Sequence, residues 1–304
     1  MKTPYYYFLG LFFLFFHING NAQTENFIEI PELSKKIIVK GDAVKYDKAI
    51  IKILRDDTYD NGVVFGSWLQ MEVTGIHEMN TFDGYSFLLS KSSIKRKSDG
   101  FLIVDNHWST DGDDEDILLA NGSNDVVYTE KLNTGSPMFS GIYVWTLEFA
   151  DICSGKRTSF SVDLKIISSP FIENETKGNM QFDEVFLYND ESEFIYTTDT
   201  LFTGDHSLTF RNLHGMVLKD SIAKLGLEIT LKNEKGETLD YKEDIISGSD
   251  AFIEAADFID KNLNYEFSLI GEDIGHRLYL TVRVWDKEDP KNEITTKTNF
   301  YVIK

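Results

Sequence analysis

The densest group of side chains that could bind a metal ion lies in an acidic segment. Asp111, Asp113, Asp114 and Asp116 offer carboxylate oxygens, the ligands that Ca²⁺ prefers. The spacing departs from an EF-hand loop, because the sixth position counted from Asp111 is Asp116 where glycine is required. The pattern leaves two interpretations, a calcium site and a solvated acidic loop.

The same segment carries an aromatic side chain that could bind a ligand. Trp108, next to His107, could stack on a sugar ring or a peptide, or could fold back over the edge of a sheet. The segment from Asp105 to Asp114 is an insertion, since the matching place in the second half of the chain holds only three residues. Because inserted loops often carry specialised function, His107 and Trp108 are candidate ligand-binding residues.

Patterns typical of catalysis are missing from the sequence. It has no His-x-x-x-His or His-x-Glu pair, no Gly-x-Ser-x-Gly elbow and no phosphate-binding glycine loop. We therefore expect no enzymatic activity, no catalytic residues and no cofactor other than a possible Ca²⁺.

The N-terminus has the features of an export signal. Lys2 precedes an apolar run from Tyr5 to Phe16, and Gly20-Asn21-Ala22 supplies small residues for cleavage before Gln23. The run is shorter than the ~20 residues of a membrane-spanning helix. We predict a signal peptide over residues 1–22, a periplasmic or cell-surface protein, and no stable membrane span once the signal is removed.

Charge and cysteine content exclude some partners. The formal net charge is −20, and removal of residues 1–22 takes away Lys2 and no acidic residue. Such a field repels nucleic acid and anionic lipid headgroups. The lone Cys153 cannot form an intrachain disulfide, so hydrophobic cores must stabilise the exported chain.

Alternation of apolar and polar residues, repeated in two halves of the chain, predicts the fold. Tyr143, Trp145, Leu147 and Phe149 alternate with polar or smaller residues up to a turn that begins at Asp151. The second half repeats this pattern with Leu278, Leu280, Val282 and Val284 before Asp286. Both places predict a β-hairpin with one buried face.

The repeat predicts an all-β fold of two tandem antiparallel β-sandwich domains. We place them at residues 23–168 and 181–304, joined by a linker at 169–180. Trp145 and Trp68 are interpreted as packing residues. Ser249 to Ile259 is a candidate for a short helix.

The hairpins also carry a family resemblance. The stretch from Gly141 to Asp151, its Ser-Gly-Lys turn and the strand after it resemble the final hairpin of immunoglobulin-like domains in exported bacterial proteins. Leu278 to Asp286 is similar. The resemblance implies an immunoglobulin-like sandwich and nothing about a ligand.

Duplication without catalytic patterns predicts a binding or assembly module with a protein or glycan partner. One alternative is a carbohydrate-binding accessory protein that uses the acidic segment and Ca²⁺. The other is a hydrolase whose site assembles in a cleft between the domains.

Overall fold

Strands make up most of the chain. The computed structural model describes residues 27–54, 58–59, 62–77, 79–80, 86–105, 117–120, 126–135, 137–246, 252–254 and 262–304. The only α-helix among these residues is α1 (Pro31–Ser34), a single turn. The expected all-β fold class is confirmed. No helix within the described ranges is both long enough and apolar enough to cross a bilayer.

The N-terminal half, residues 27–167, and the C-terminal half, residues 172–303, are built from short strands. Those of the N-terminal half are β1 (Phe27–Glu29), β2 (Ile38–Gly41), β3 (Lys48–Leu54), β4 (Thr58–Tyr59), β5 (Gly62–Val64), β6 (Trp68–Ile76), β7 (Ser86–Arg96), β8 (Leu102–Asp105), β9 (Ile117–Ala120), β10 (Val126–Asn133), β11 (Gly141–Asp151) and β12 (Arg157–Ile167). Those of the C-terminal half are β13 (Ile172–Lys177), β14 (Glu184–Asn189), β15 (Phe194–Ile195), β16 (Thr200–Phe202), β17 (Gly204–Arg211), β18 (Ile222–Asn233), β19 (Thr238–Lys242), β20 (Phe252–Glu254), β21 (Asn262–Leu269), β22 (Arg277–Asp286) and β23 (Glu293–Ile303).

Both halves share a central strand order, in which β3-β6-β10 corresponds to β14-β17-β21 and β12-β11-β7-β8 corresponds to β23-β22-β18-β19. In the N-terminal half a small sheet β1-β3-β6-β10 accompanies a large sheet β4-β5-β12-β11-β7-β8. In the C-terminal half the sheets are β15-β14-β17-β21 and β13-β23-β22-β18-β19. Each final strand also pairs in parallel with a short early strand, β5 with β12 and β16 with β23. This two-sheet order is that of an immunoglobulin-like β-sandwich.

Alternating burial on the final hairpins follows from the period of a strand. Tyr143, Trp145, Leu147 and Phe149 are fully buried, whereas the residues between them are at least partly exposed. Strands β22 and β23 repeat this pattern. Side chains of a strand point alternately to the two faces of the sheet, so both predicted hairpins are confirmed.

The two tryptophans interpreted as packing residues have different surroundings. Trp145 is buried in the cluster of apolar side chains between the N-terminal sheets, and its indole Nε1 donates to Ser92 Oγ at 3.2 Å. Trp68 is 42% exposed, so its interpretation as a packing residue is wrong. Leu69, the next residue, takes the inward position at the start of β6.

Two segments differ from the sequence expectation. The expected linker at residues 169–180 contains β13, which pairs with β23 at the edge of the large C-terminal sheet. Polar edge strands resemble linkers in composition, because only Ile172 of β13 is buried. The described part of the helix candidate from Ser249 to Ile259 is β20, which pairs with β18.

Each final hairpin contains a buried aspartate that joins it to another loop. The Asp151 carboxylate accepts hydrogen bonds from the backbone N–H and side-chain amide of Asn80, at 3.1 and 2.7 Å. The Asp286 carboxylate accepts one from the backbone N–H of Val217, at 2.7 Å. Both aspartates also cap their own turns. These bonds hold the end of each small-sheet loop against the large sheet.

The two halves contact each other through strand β14, which is buried on both faces. Leu187 points into the cluster of the C-terminal half, while Phe186 joins the cluster of the N-terminal half. The ring of Phe186 lies 5.3 Å from that of Phe65. Ile195, on the neighbouring strand, packs on the backbone of Gly66, where a Cβ would lie 2.7 Å from it.

Polar groups complete this junction. Glu184 is buried, and its carboxylate accepts a hydrogen bond from the backbone N–H of Ser140 at 2.9 Å. Burial raises the pKa of the Glu184 carboxyl. Arg211 donates to the backbone carbonyls of Met138, at 2.6 Å, and Pro137, at 3.1 Å. The junction thus combines apolar contact with hydrogen bonds to one loop of the N-terminal half.

Replacing Trp145 with alanine tests the N-terminal core. We expect Trp145→Ala to lower the free energy of unfolding by about 3–5 kcal/mol, because it leaves a large cavity. The matched control, Trp68→Ala, should cost about 1 kcal/mol or less, since that side chain is partly solvated. Urea denaturation measures both, and equal losses would contradict this packing.

Replacing Gly66 with alanine tests the junction. Gly66 and Gly155 both have positive φ, so alanine at either position costs about 1–2 kcal/mol of backbone strain. Only at Gly66 does the new Cβ collide with Ile195, whereas Gly155 has open space around it. We expect Gly66→Ala to be more destabilising than Gly155→Ala by about 1–3 kcal/mol. Equal costs in thermal unfolding would show that Ile195 does not pack on Gly66.

Candidate binding surface

The outer face of the large C-terminal sheet carries exposed aromatic side chains. Because Leu278 and Leu280 point into the core, the intervening Tyr279 points outward and is 44% exposed. Tyr301 on β23 is 39% exposed and Tyr241 on β19 is 54% exposed. We call these three residues the tyrosine face.

Strand register places polar groups around these rings. Tyr279 is paired with Asn299 on one side and Lys232 on the other. Tyr301 is paired with Arg277, and Tyr241 lies opposite Thr230. Since paired residues project to the same face, the rings are interleaved with hydrogen-bonding side chains.

Hydrogen bonds hold the Tyr301 side of the face in position. The Arg277 guanidinium donates to Asp199 Oδ2 at 2.9 Å and to Asn299 Oδ1 at 2.5 Å. The backbone N–H of Tyr301 donates to the carbonyl of Asp199 at 2.8 Å. Fixed side chains lose less conformational entropy on binding, so this arrangement favours recognition.

At the opposite end of the same sheet, the outward-facing side chains pack on or form ion pairs with one another. Trp285 covers Gly226, where a Cβ would lie 2.2 Å from the indole ring, and the Arg283 guanidinium lies 4.9 Å from that ring. Arg283 also pairs with Glu293 at 2.7 Å, and Lys177 pairs with Glu293 at 2.6 Å. The hydrogen bond from Lys177, with the charge of Arg283, lowers the pKa of the Glu293 carboxyl.

Among the described residues of the N-terminal half, the positions equivalent to Tyr279, Tyr301 and Trp285 carry no aromatic side chains. Counting back from the aspartates that end β11 and β22, Val144 occupies the position of Tyr279 and Ala150 that of Trp285. Lys165 occupies the position of Tyr301. The ion pair between Arg283 and Glu293 has a counterpart with reversed charges, Glu148 with Arg157 at 3.0 Å. The two outer faces therefore share a framework and differ in chemistry.

A shallow crevice lies beside the tyrosine face. It has a volume of about 110 Å³, and its lining includes Phe194, Phe202 and three threonines, Thr197, Thr198 and Thr200. Phe202 belongs to β16, which pairs with the end of β23 next to Tyr301. Small-molecule sites usually enclose about 300–1,000 Å³. This crevice is too small for such a ligand, which favours contact across the open face.

A buried histidine supports the crevice from below. His206 is fully buried, and its Nε2 lies 2.9 Å from the carbonyl of Phe202, so Nε2 carries the proton and donates. Nδ1 is then free to accept from the hydroxyl of Tyr196, at 3.4 Å. Asn189 in turn donates to that hydroxyl at 3.0 Å. Burial lowers the pKa of His206, consistent with a neutral ring.

The candidate residues predicted from the sequence are different from those of the tyrosine face. His107, Trp108, Asp111, Asp113, Asp114 and Asp116 fall outside the described residues, so the calcium and ligand assignments stay predictions. In the described part of the chain, no three His, Cys, Asp or Glu side chains are grouped to hold a metal ion. The alternation that predicted strand β22 already placed Tyr279 on its outer face, and this signal could have identified the surface.

Comparisons with known proteins identify no family. No protein-family model matches the chain, and no curated protein matches it. Three solved structures are similar at low identity. A protein named as a β-galactosidase from Bacteroides fragilis is 10% identical with a TM-score of 0.26, covering 80% of this chain and 34% of its own. A β-glucuronidase from Parabacteroides merdae is 11% identical with a TM-score of 0.21, covering 80% and 29%.

The third similar structure is Dpr11 IG1 bound to DIP-gamma IG+IG2, 11% identical with a TM-score of 0.19, covering 84% of this chain and 99% of its own. The chain thus spans about a third of the length of the two enzymes. TM-scores this low support no argument about function.

The buried histidine makes a testable contribution to pH dependence. Its pKa is lowered on folding, so the unfolded chain binds more protons below pH ~6.5 and stability is lost as the pH falls through that range. We expect the free energy of unfolding of the wild type to drop relative to His206→Gln between pH 7 and pH 5. His276→Gln, at an exposed site, is the control. Parallel curves for wild type and His206→Gln in urea denaturation would contradict a buried neutral ring.

Proposed function

We propose that this protein is an exported, non-enzymatic binding or assembly module of two immunoglobulin-like β-sandwich domains. Residues 1–22 are its signal peptide, and the mature chain acts in the periplasm or at the cell surface. The domains correspond to the two halves. The connection between them is residues 168–171, shorter than the linker at 169–180 predicted from the sequence, because β13 pairs within the second half. The observation that carries the proposal is the tyrosine face, present in one domain and replaced in the other.

Tyrosine at an exposed position suits a contact surface. The ring supplies a large rigid apolar area, and the hydroxyl still bonds to water when the surface is free. Tyrosine is enriched at protein interfaces for this reason. A duplicated domain whose core and turn aspartates match, but whose outer residues differ, fits a division of roles in which the C-terminal domain binds and the N-terminal domain positions it.

The junction supports the assembly part of the proposal. Phe186, Ile195 and Arg211 tie the C-terminal domain to one end of the N-terminal domain. Such contacts restrict the relative motion of the domains. A partner bound to the tyrosine face would then have a defined orientation to the rest of the chain.

Site-specific photo-cross-linking tests the proposal. A photoreactive phenylalanine analogue at position 279 should cross-link to the partner in the native envelope, because this side chain is part of the proposed contact surface and is exposed to solvent. The matched control is the same analogue at position 144, the equivalent position of the N-terminal domain.

Cross-links at 279 that are absent at 144 are the expected result. Equal cross-linking yields at the two positions, or cross-links at position 144 only, would contradict binding at the tyrosine face. Circular dichroism melts of both labelled proteins check that the folds are equivalent.

A further inference from the structure

A buried carboxyl lies at the junction between the two halves. Glu184 and Phe186 alternate with Val185 on β14, so both project from the outer face of the small C-terminal sheet toward the N-terminal half. Glu184 is only 1% exposed. Glutamate is almost never fully buried unless its charge is paired, because an ionised carboxylate loses its hydration there.

The hydrogen-bonding partners of this carboxyl lie mostly outside its own half. The backbone N–H of Ser140, in a loop of the N-terminal half, donates to Glu184 Oε2 at 2.9 Å. The hydroxyls of Ser140 and of Ser168, in the connection, are further partners, and the backbone N–H of Val185 contributes from β14 itself. All of these donors are neutral. Glu184 thus joins the second half to the loop and to the connection, and separation of the halves would break these bonds.

Charged and titratable groups approach this carboxyl from neighbouring strands. Arg211 of β17 is its cross-strand neighbour, and its guanidinium donates to two backbone carbonyls of the loop. On the other side of the loop, the hydroxyl of Tyr143 bonds to the backbone of Phe139, and the guanidinium of Arg96 lies 5.2 Å from the Phe139 ring. Burial outweighs the hydrogen bonds to the carboxylate and raises the pKa of Glu184.

We propose that the junction is a pH-sensitive hinge, in which protonation of Glu184 holds the two halves together and its ionisation releases them. The connection at residues 168–171 supplies the pivot. Among the described residues of the C-terminal half, the apolar side chains that pack on the N-terminal cluster are Phe186, Tyr188 and Ile195. Because this apolar contact is small, one buried charge strongly affects the equilibrium between docked and open forms.

The direction of the pH effect follows from proton linkage. In the docked form the pKa of Glu184 is raised, whereas in the open form the carboxyl is solvated and its pKa is close to the ordinary value of 4.5. The docked form therefore binds the proton more tightly. This contribution to docking is fully present below pH 4.5 and is lost as the pH rises through the raised pKa.

The hinge is independent of the tyrosine face. It concerns the contact between the halves, and it would stand if no partner bound to the outer sheet. Where a partner does bind there, the pH would set how freely that partner moves relative to the N-terminal half.

Single-molecule energy transfer between dyes on the two halves of the full chain tests the hinge. One dye is attached to Cys153, which is exposed in the turn at the end of β11 far from the junction. The other is attached to Lys235→Cys, in the exposed turn between β18 and β19. We expect the docked population to predominate near pH ~5 and an open population to grow as the pH rises to ~8. The ratio of open to docked molecules should rise by no more than about tenfold per pH unit, the limit for one proton.

Glu184→Gln keeps a hydrogen-bond acceptor without the charge, so this variant should stay docked across the whole range. Glu266→Gln is the matched control, because Glu266 is exposed on the same face of the same sheet, and it should follow the wild type. Circular dichroism at each pH checks that the proteins remain folded.

Three results would each overturn the hinge: a wild-type ratio of open to docked molecules that stays constant or falls as the pH rises, opening of Glu184→Gln with the wild-type pH dependence, or loss of that dependence in Glu266→Gln. The wild-type profile alone decides the direction of the effect, so the test holds even if Glu184→Gln fails to fold.

Discussion

The period of two residues in a β-strand is the constraint on which the rest of the structure depends. Because side chains alternate between the two faces of a strand, burial of Leu278, Leu280, Val282 and Val284 between the sheets requires Tyr279 to face solvent. Burial of each such apolar side chain contributes about 1.5–3 kcal/mol, so a slip by one residue would be strongly unfavourable. The core therefore determines the composition and spacing of the outer surface.

The two halves show how one framework can carry two surfaces. Their strand order, their parallel pairs and their buried turn aspartates, Asp151 and Asp286, correspond. Their outer faces differ. Even the equivalent ion pairs, Glu148 with Arg157 and Arg283 with Glu293, have the acid and the base on opposite strands. Solvent-exposed ion pairs contribute little to stability, so the outer faces can change with little effect on the fold.

Much of the fold could be predicted from the sequence, because alternation is strong where one face of a strand is buried. Trp145 and both final hairpins were identified in this way. Strand β13 was missed because it is a polar edge strand with one buried residue, and β20 was missed because the sequence around it resembles a short helix. The junction could not be predicted either, since contact between Phe186 and Phe65 depends on how the two halves pack. The sequence predicts a candidate site in an inserted loop, whereas the tyrosine face is defined by the register of four strands.

The most direct test of the central claim is hydroxyl-radical footprinting of tyrosine side chains with and without the bound partner. The account predicts that Tyr241, Tyr279 and Tyr301 become protected on binding, while Trp68 in the N-terminal half reacts at an unchanged rate. Protection of Trp68 with no change at the three tyrosines would contradict it.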